Sequence, residues 1–581
     1  MNRPWLRTAL ALSVFAAIFI TLTVTSYTQK SATWDEPQHL VAGYIAWKMH
    51  DYRLAPEHPP LLRMWAALPL LTMSDIKLAT DSPYWLAGDD TRFCHQFLFQ
   101  DNDADRLLFR ARFMVVLLGV LLGILVFCWM RELFGFWPAT VVLGLYCTEP
   151  NLLAHSSLVT TDVGTVCFIF GAVYFAWRTA RNFSVPNLSG LAVFFALAQA
   201  SKYSALLLAP VLFALLLARA LSAAPWPCAI GKSRLLKARG RKVASVFLVV
   251  GGLLAVSYVG LWAVYGFRYA PSMGGIEQGH FIMSDDAPRR LPGLTHFMEW
   301  VDDHHLLPNA CAKGFTSVAA TAQQRHAYLL GKVSNRGWWY YFPLAFLIKT
   351  PIGLLCMTFI GLALWAVRWK TMGHDMLFVI GPIVVYFGAA VAGHLNIGLR
   401  HVLPIYPFLL LIAGKAVAAL GNAKSPLLRG LLGALCLFAV AESAAIYPDY
   451  LAFFNQFIGG PRNGQKYLVE SNLDWGQDLK GLKLWMDQNN VQHINLSYFG
   501  TADPAYYKIN CTHLPGAPLF AEQLVKSPTL PGFVAVSATN LRGVYFDDRW
   551  RSFYWPLLEM KPAGVIGYSI YVYWVERRWW P

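Results

Sequence analysis

The chain alternates between apolar runs and short polar connections. About eleven such runs stand out, near residues 8–26, 111–130, 136–149, 162–178, 188–201, 203–221, 243–265, 344–367, 376–394, 402–420 and 428–446. A helix of about 20 apolar residues crosses the ~30 Å hydrocarbon core of a bilayer. The third and fifth runs are short and read as broken or re-entrant. The first follows Arg3 and Arg7 and ends in Ser26-Tyr27-Thr28-Gln29. That is a poor cleavage sequence, so the run reads as a retained transmembrane helix rather than a signal peptide. The pattern predicts an α-helical polytopic membrane domain over residues 1–447.

Three long segments interrupt it: the loops 27–110 and 266–342, and a tail over 448–581. The tail changes period. Gly464 to Asn490 reads as a helix with Leu479, Leu482, Leu484 and Trp485 on its apolar face. His493 to Phe499, Phe533 to Ser537 and Ile566 to Trp574 read as strands. We expect a small α/β domain outside the membrane, anchored at the headgroups by Trp579 and Trp580.

Composition agrees with this reading and charge orients it. Only 14% of residues are charged, against about 25% in soluble proteins. Lys and Arg number 48 against 33 acids. The excess gathers in short loops of one parity, at Arg131, Arg178 and Arg181, Lys232 to Lys242, Arg368 and Lys370, and Lys424 and Arg429. Those loops are therefore expected in the cytoplasm, with the N-terminus, and the three long segments outside. Basic residues scattered over loops do not build a nucleic-acid face. The nine cysteines show no CxxC or metal-type spacing. Cys94, Cys311 and Cys511 fall in outer segments, where one disulfide could form.

Candidate chemistry begins just after the first run, at Trp34-Asp35-Glu36-Pro37. Two carboxylates beside a membrane surface are costly to draw inward, so they read as a solvated loop or as a functional pair. Residues 51–62, DYRLAPEHPPLL, follow. There a double proline stiffens the chain and fixes the direction of Glu57 and His58.

A carboxylate pair after the first span, then a charged-HPPL segment, resembles the glycosyltransferases of GT-C fold. Within them it is similar to bacterial phospholipid-carrier-dependent enzymes related to protein O-mannosyltransferases and aminoarabinose transferases. The tail, with DYLAFFNQFIGGP at 449–461 and YLVESNLDWGQDL at 467–479, resembles a bacterial subfamily and lacks the trefoil domain of eukaryotic mannosyltransferases.

The resemblance implies a polyprenyl-phosphate-linked sugar donor, a lipid, glycan or protein acceptor offering a hydroxyl, and membrane lipids as surroundings. It implies that Asp35 is the catalytic base and that Glu36 orients it or binds acceptor. The leaving lipid phosphate is already a stable anion and needs cations rather than a strong acid. His58, Lys202, Lys349, Arg400 and His401 are the candidates, with snorkelling at the interface as the plain alternative for the lysines. Glu57, His155, Asp162, His394, Asn396, Asp474 and Asp478 are cavity or acceptor-side candidates. Asp162 precedes a helical run and Asp474 stands three residues before Gln477, so both also read as helix N-caps. Asp35 and Glu36 could bind a divalent cation, although no complete ligand set is readable. The alternative is a transporter or flippase of lipid-linked sugars or another solute.

Overall fold

The computed structural model describes residues 4–231, 234–274, 287–367 and 373–579. Lys232, Arg368, Lys370 and Trp580 lie outside the described residues. All eleven predicted runs fall on helices. Among the described residues eight helices are long and apolar enough to cross a membrane, the first being Pro4–Tyr27 and the last Pro426–Ile446. The short third and fifth runs form the helices Phe136–Cys147 and Val185–Gln199.

The run at 344–367 departs from expectation. It is two helices, Tyr341–Lys349 and Ile352–Val367, bent by 113°. Pro351 lacks a backbone N–H and pushes Thr350 out of the helical region, to φ −97° and ψ 136°. The neighbouring helix covers the exposed start of the second half, where the Gly353 N–H donates to Glu442 at 3.5 Å.

Chain direction alternates from helix to helix, so one end of the bundle collects residues 27–36, 104, 162, 203, 399 and 446, and the other collects the short loops. Cross-links mark both ends. The Ser26 hydroxyl donates to the Pro448 carbonyl at 2.7 Å at the first, and the Trp177 indole donates to Asp375 at 2.6 Å at the second. Asp162–Arg181 and Leu399–Gly421 are the central spans, buried on nearly all sides. Pro4–Tyr27, Arg239–Val264 and Pro426–Ile446 are peripheral.

The tail docks on the first end. Its sheet has five strands in the order Cys511–His513, Ile494–Ser497, Gly532–Ser537, Ile570–Val575, Gly564–Ile566. The first two pairings are parallel and the last two antiparallel. The expected helix over 464–490 is split into a single turn, Gly464–Tyr467, and the helix Leu479–Gln488, which buries Leu479, Leu482 and Met486 while Leu484 faces out. Between them lies only a short 3-10 turn at Glu470–Asn472, and the carbonyls of residues 475–477 are bonded to Ser31, Trp34 and Tyr498. The buried apolar cluster of the helices runs without a break into this sheet. All nine cysteines are free, so the possible disulfide does not form.

Candidate active site

Asp35 ends the turn that leads from the first span into the helix Glu36–Met49. Its carboxylate accepts from Arg400 Nη1 at 2.7 Å and is one-quarter exposed. The same Nη1 lies 4.0 Å from Asp162, whose other oxygen accepts from Lys202 Nζ at 2.6 Å. Asp162 is the first residue of one central helix and Arg400 is in the first turn of the other. A carboxylate suits a helix N-terminus, whereas an arginine there needs an anion beside it. The Arg400 guanidinium also stacks on the buried Trp475 ring, 4.2 Å from its centroid.

His58 and Glu57 complete the wall. Arg63 donates to the carbonyls of Ala55 and His58, which clamps the double-proline turn. Glu57 is exposed to solvent at this wall, with protein packed closely around its carboxylate. That enclosure raises its pKa above the ordinary carboxylate value. Burial, with Lys202 beside it, holds the His58 imidazole well below its usual range.

His39 was not expected and belongs here. It lies four residues after Asp35 on a helix, and so on the same face. Its ring stacks near His58 at 6.3 Å, and its buried Nδ1 has no hydrogen-bond partner among the described residues. Burial, then Arg63, depresses its pKa to about 4, which leaves the ring neutral at pH 7. The spacing from Asp35 was the readable signal.

Glu36 has a different place from its neighbour. It is fully buried and accepts from Arg112 at 2.6 and 2.8 Å. Thr33 donates to it through its N–H at 2.8 Å and its hydroxyl at 3.1 Å, and Val159 N at 2.9 Å. Burial alone would raise its pKa. Arg112 and the two N–H groups overrule that and hold it below the usual range. Both Glu36 oxygens are thus engaged by the protein itself.

Several other candidates are absorbed by the scaffold. Lys349 donates to the carbonyls of Leu451, at 2.9 Å, and Asn472. Asn396 accepts from Trp338 N at 2.6 Å, and the exposed His394 contacts the Arg336 carbonyl at 2.8 Å. These two tie one loop to another. His155 packs at 6.3 Å from Trp475, and burial lowers its pKa to about 4. The buried Nε2 of His401 has no hydrogen-bond partner among the described residues.

Neither predicted cap forms. Asp162 spends its carboxylate on Lys202, and Asp474 accepts from Thr539 N at 2.8 Å, well before the helix that starts at Leu479. Asp478 pairs with Lys30 at 2.7 Å and accepts from the Ser569 hydroxyl at 2.6 Å. Among the described residues no group of three or more His, Cys, Asp or Glu is placed to hold a metal ion.

The tail reaches the site through the strip just before Asp35. Ser31 N donates to the Gln477 carbonyl and Trp34 N to the Trp475 carbonyl, both at 2.9 Å. The Thr501 hydroxyl lies 3.0 Å from the Trp34 carbonyl and 3.3 Å from that of Thr33. The Trp34 ring stacks on Phe499 at 4.7 Å, and Phe499 on Tyr545 at 5.5 Å.

Asp474 makes this contact zone pH-sensitive. Burial raises its pKa to about 8. Between its ordinary pKa and 8 the folded state holds a proton that the unfolded chain has lost, so stability falls as pH rises through that window. Thermal unfolding from pH 4 to 9 is expected to show the decline, and Asp474→Asn to flatten it. An unchanged slope in the variant would refute the assignment.

Residues 104–235 match the family model described as dolichyl-phosphate-mannose-protein mannosyltransferase. The family resemblance holds over that stretch. Three solved structures are similar at low identity. ArnT from Cupriavidus metallidurans, bound to undecaprenyl phosphate, is 12% identical with a TM-score of 0.44, covering 96% of this chain and 97% of that one. The S. cerevisiae protein O-mannosyltransferase Pmt1–Pmt2 complex bound to the sugar donor is 11% identical with a TM-score of 0.47, covering 77% and 90%. The apo oligosaccharyltransferase of Archaeoglobus fulgidus is 14% identical with a TM-score of 0.46, covering 92% and 70%. No curated protein matches the chain.

Proposed function

We propose that this protein is a membrane glycosyltransferase that moves a sugar from a polyprenyl-phosphate carrier to a hydroxyl acceptor outside the cytoplasm. The observation that carries the reading is the Asp35–Arg400–Asp162–Lys202 chain, in which two carboxylates alternate with two cations at the mouth of the bundle. The match over residues 104–235 to a family named for dolichyl-phosphate-mannose supports the donor class. The described basic loop residues Arg131, Arg178 and Arg181 lie at the opposite end, which supports an extracytoplasmic site.

The chemistry is a single displacement. The acceptor oxygen attacks the anomeric carbon while Asp35 takes its proton, and the bond from that carbon to the phosphate oxygen breaks. The lipid phosphate departs as an anion onto Arg400 and Lys202, with His58 beside them. One displacement inverts the anomeric centre and needs no second nucleophilic carboxylate. The transporter alternative is not favoured, because the charged groups of the site gather at the end where the tail docks rather than at mid-span.

Profiling glycolipids and envelope glycans after deletion of the gene tests this. One species is expected to lose a sugar, and wild type but not Asp35→Asn should restore it. An unaltered profile, or full rescue by the variant, would refute the proposal.

The tail acts in this scheme by holding the strip before Asp35. Thr501→Val is expected to slow transfer roughly tenfold while costing about 1 kcal/mol of stability, the net value of an ordinary hydrogen bond. Thr501→Ser should restore the rate. A Val variant with normal kinetics would show that the hydroxyl does not position the base.

A further inference from the structure

At the end of the bundle opposite Asp35, an open groove of about 770 Å³ runs between the first span, the helix Phe136–Cys147 and the last span. Val14 and Ile18 line it from the first, Val141 and Gly144 from the second, and Val440 from the third. A second hollow of about 260 Å³ adjoins it, sharing Arg7, Phe136 and Trp137 and adding Pro4 and Arg131. The walls of the first are almost wholly apolar, and two guanidinium groups stand over the second.

Neither arginine is neutralised by the protein. Arg131 donates to the Thr8 hydroxyl at 3.0 Å. Among the described residues no carboxylate pairs with Arg7 or Arg131. The neighbouring acid, Glu132, is taken by the Tyr174 hydroxyl at 2.5 Å and lies 3.7 Å from Arg178. Trp5 and Trp137 are both exposed at this level, where indole rings favour the headgroup region.

We propose that groove and hollow together bind one anionic glycerophospholipid, with acyl chain in the groove and phosphate on Arg7 and Arg131. A phosphodiester matches paired guanidinium groups in charge and hydrogen-bond geometry. The occupant is not the sugar carrier engaged in transfer. Arg7 and Tyr27 are separated by twenty helical residues, or about 30 Å, so a phosphate here lies a membrane's thickness from Asp35. The bound lipid fills the space between a first span and a last span that otherwise pack loosely on the bundle. The site shares no residue with the transfer site, and its test does not depend on turnover.

The experiment is native mass spectrometry of the full chain in neutral detergent, with phosphatidylglycerol, phosphatidylcholine or undecaprenyl phosphate added. One phosphatidylglycerol is expected to be retained at least about tenfold better than phosphatidylcholine. Arg7→Gln with Arg131→Gln should abolish the preference. Gly144→Leu should reduce retention of both phospholipids by blocking the groove. A side chain at Gly144 meets no atom within 4 Å at its Cβ, so the fold should tolerate it. Thermal unfolding confirms that each variant is intact. Equal retention of the two phospholipids, retention untouched by Gly144→Leu, or displacement of phosphatidylglycerol by undecaprenyl phosphate would each overturn the proposal.

Discussion

Asp35→Asn is expected to lower sugar transfer by roughly 10²–10⁴-fold, the usual contribution of a positioned general base. The substitution preserves volume and leaves an amide oxygen that still accepts from Arg400, now 2.7 Å away. It removes the capacity to take a proton. Asp35 is partly exposed and the amide keeps its shape and its bond to Arg400, so unfolding should shift by about 1 kcal/mol or less. Initial rates with a polyprenyl-phosphate sugar in proteoliposomes, measured at saturating donor, provide the check. The loss should fall on kcat with little change in KM, because the phosphate contacts remain. A variant working within about threefold of wild type would remove Asp35 from the chemistry.

Arg112→Ala is expected to behave in the opposite way, with its main effect on stability. The Arg112 guanidinium donates to both oxygens of Glu36 and to the carbonyls of Tyr27, Lys30 and Ser31. It therefore pins the turn between the first span and the site. Removing it leaves a fully buried carboxylate without its cation, a change worth about 3–5 kcal/mol. Thermal unfolding in detergent should show a large fall in midpoint. Arg112→Ala with Glu36→Gln should recover part of it, since no uncompensated charge then remains. A single variant as stable as wild type would mean that the pair is not holding the turn. On the proposed reading Asp35 and Glu36, adjacent in sequence, divide between reactivity and folding.

The membrane half was legible in the sequence because twenty-residue apolar runs have few alternatives. Helices formed at all eleven predicted positions, two of them short as expected. The 113° bend was also written there, in Pro351, but an apolar run on both sides masked it. The helix expected over 464–490 failed for a tertiary reason. Residues 475–477 give their carbonyls to Ser31, Trp34 and Tyr498 instead of to a helix.

Local rules likewise named Asp162 and Asp474 as caps. Lys202, 40 residues away, and Thr539, 65 residues away, claimed them instead. Such partners have no signature in a single sequence. His39 is the contrary case: helical spacing from Asp35 would have placed it on the right face.

Asp162 stands between Lys202 and Arg400, and this has a consequence for the resting protein. Both cations already have a carboxylate, so the cluster carries little net charge to attract inorganic phosphate or other stray anions in the medium. A bare anion must break those pairs unaided, whereas one attached to a long hydrocarbon brings burial energy with it. On the proposed reading, once the spent carrier withdraws the carboxylates reclaim their partners, and the cluster returns to its closed-shell condition without a further input.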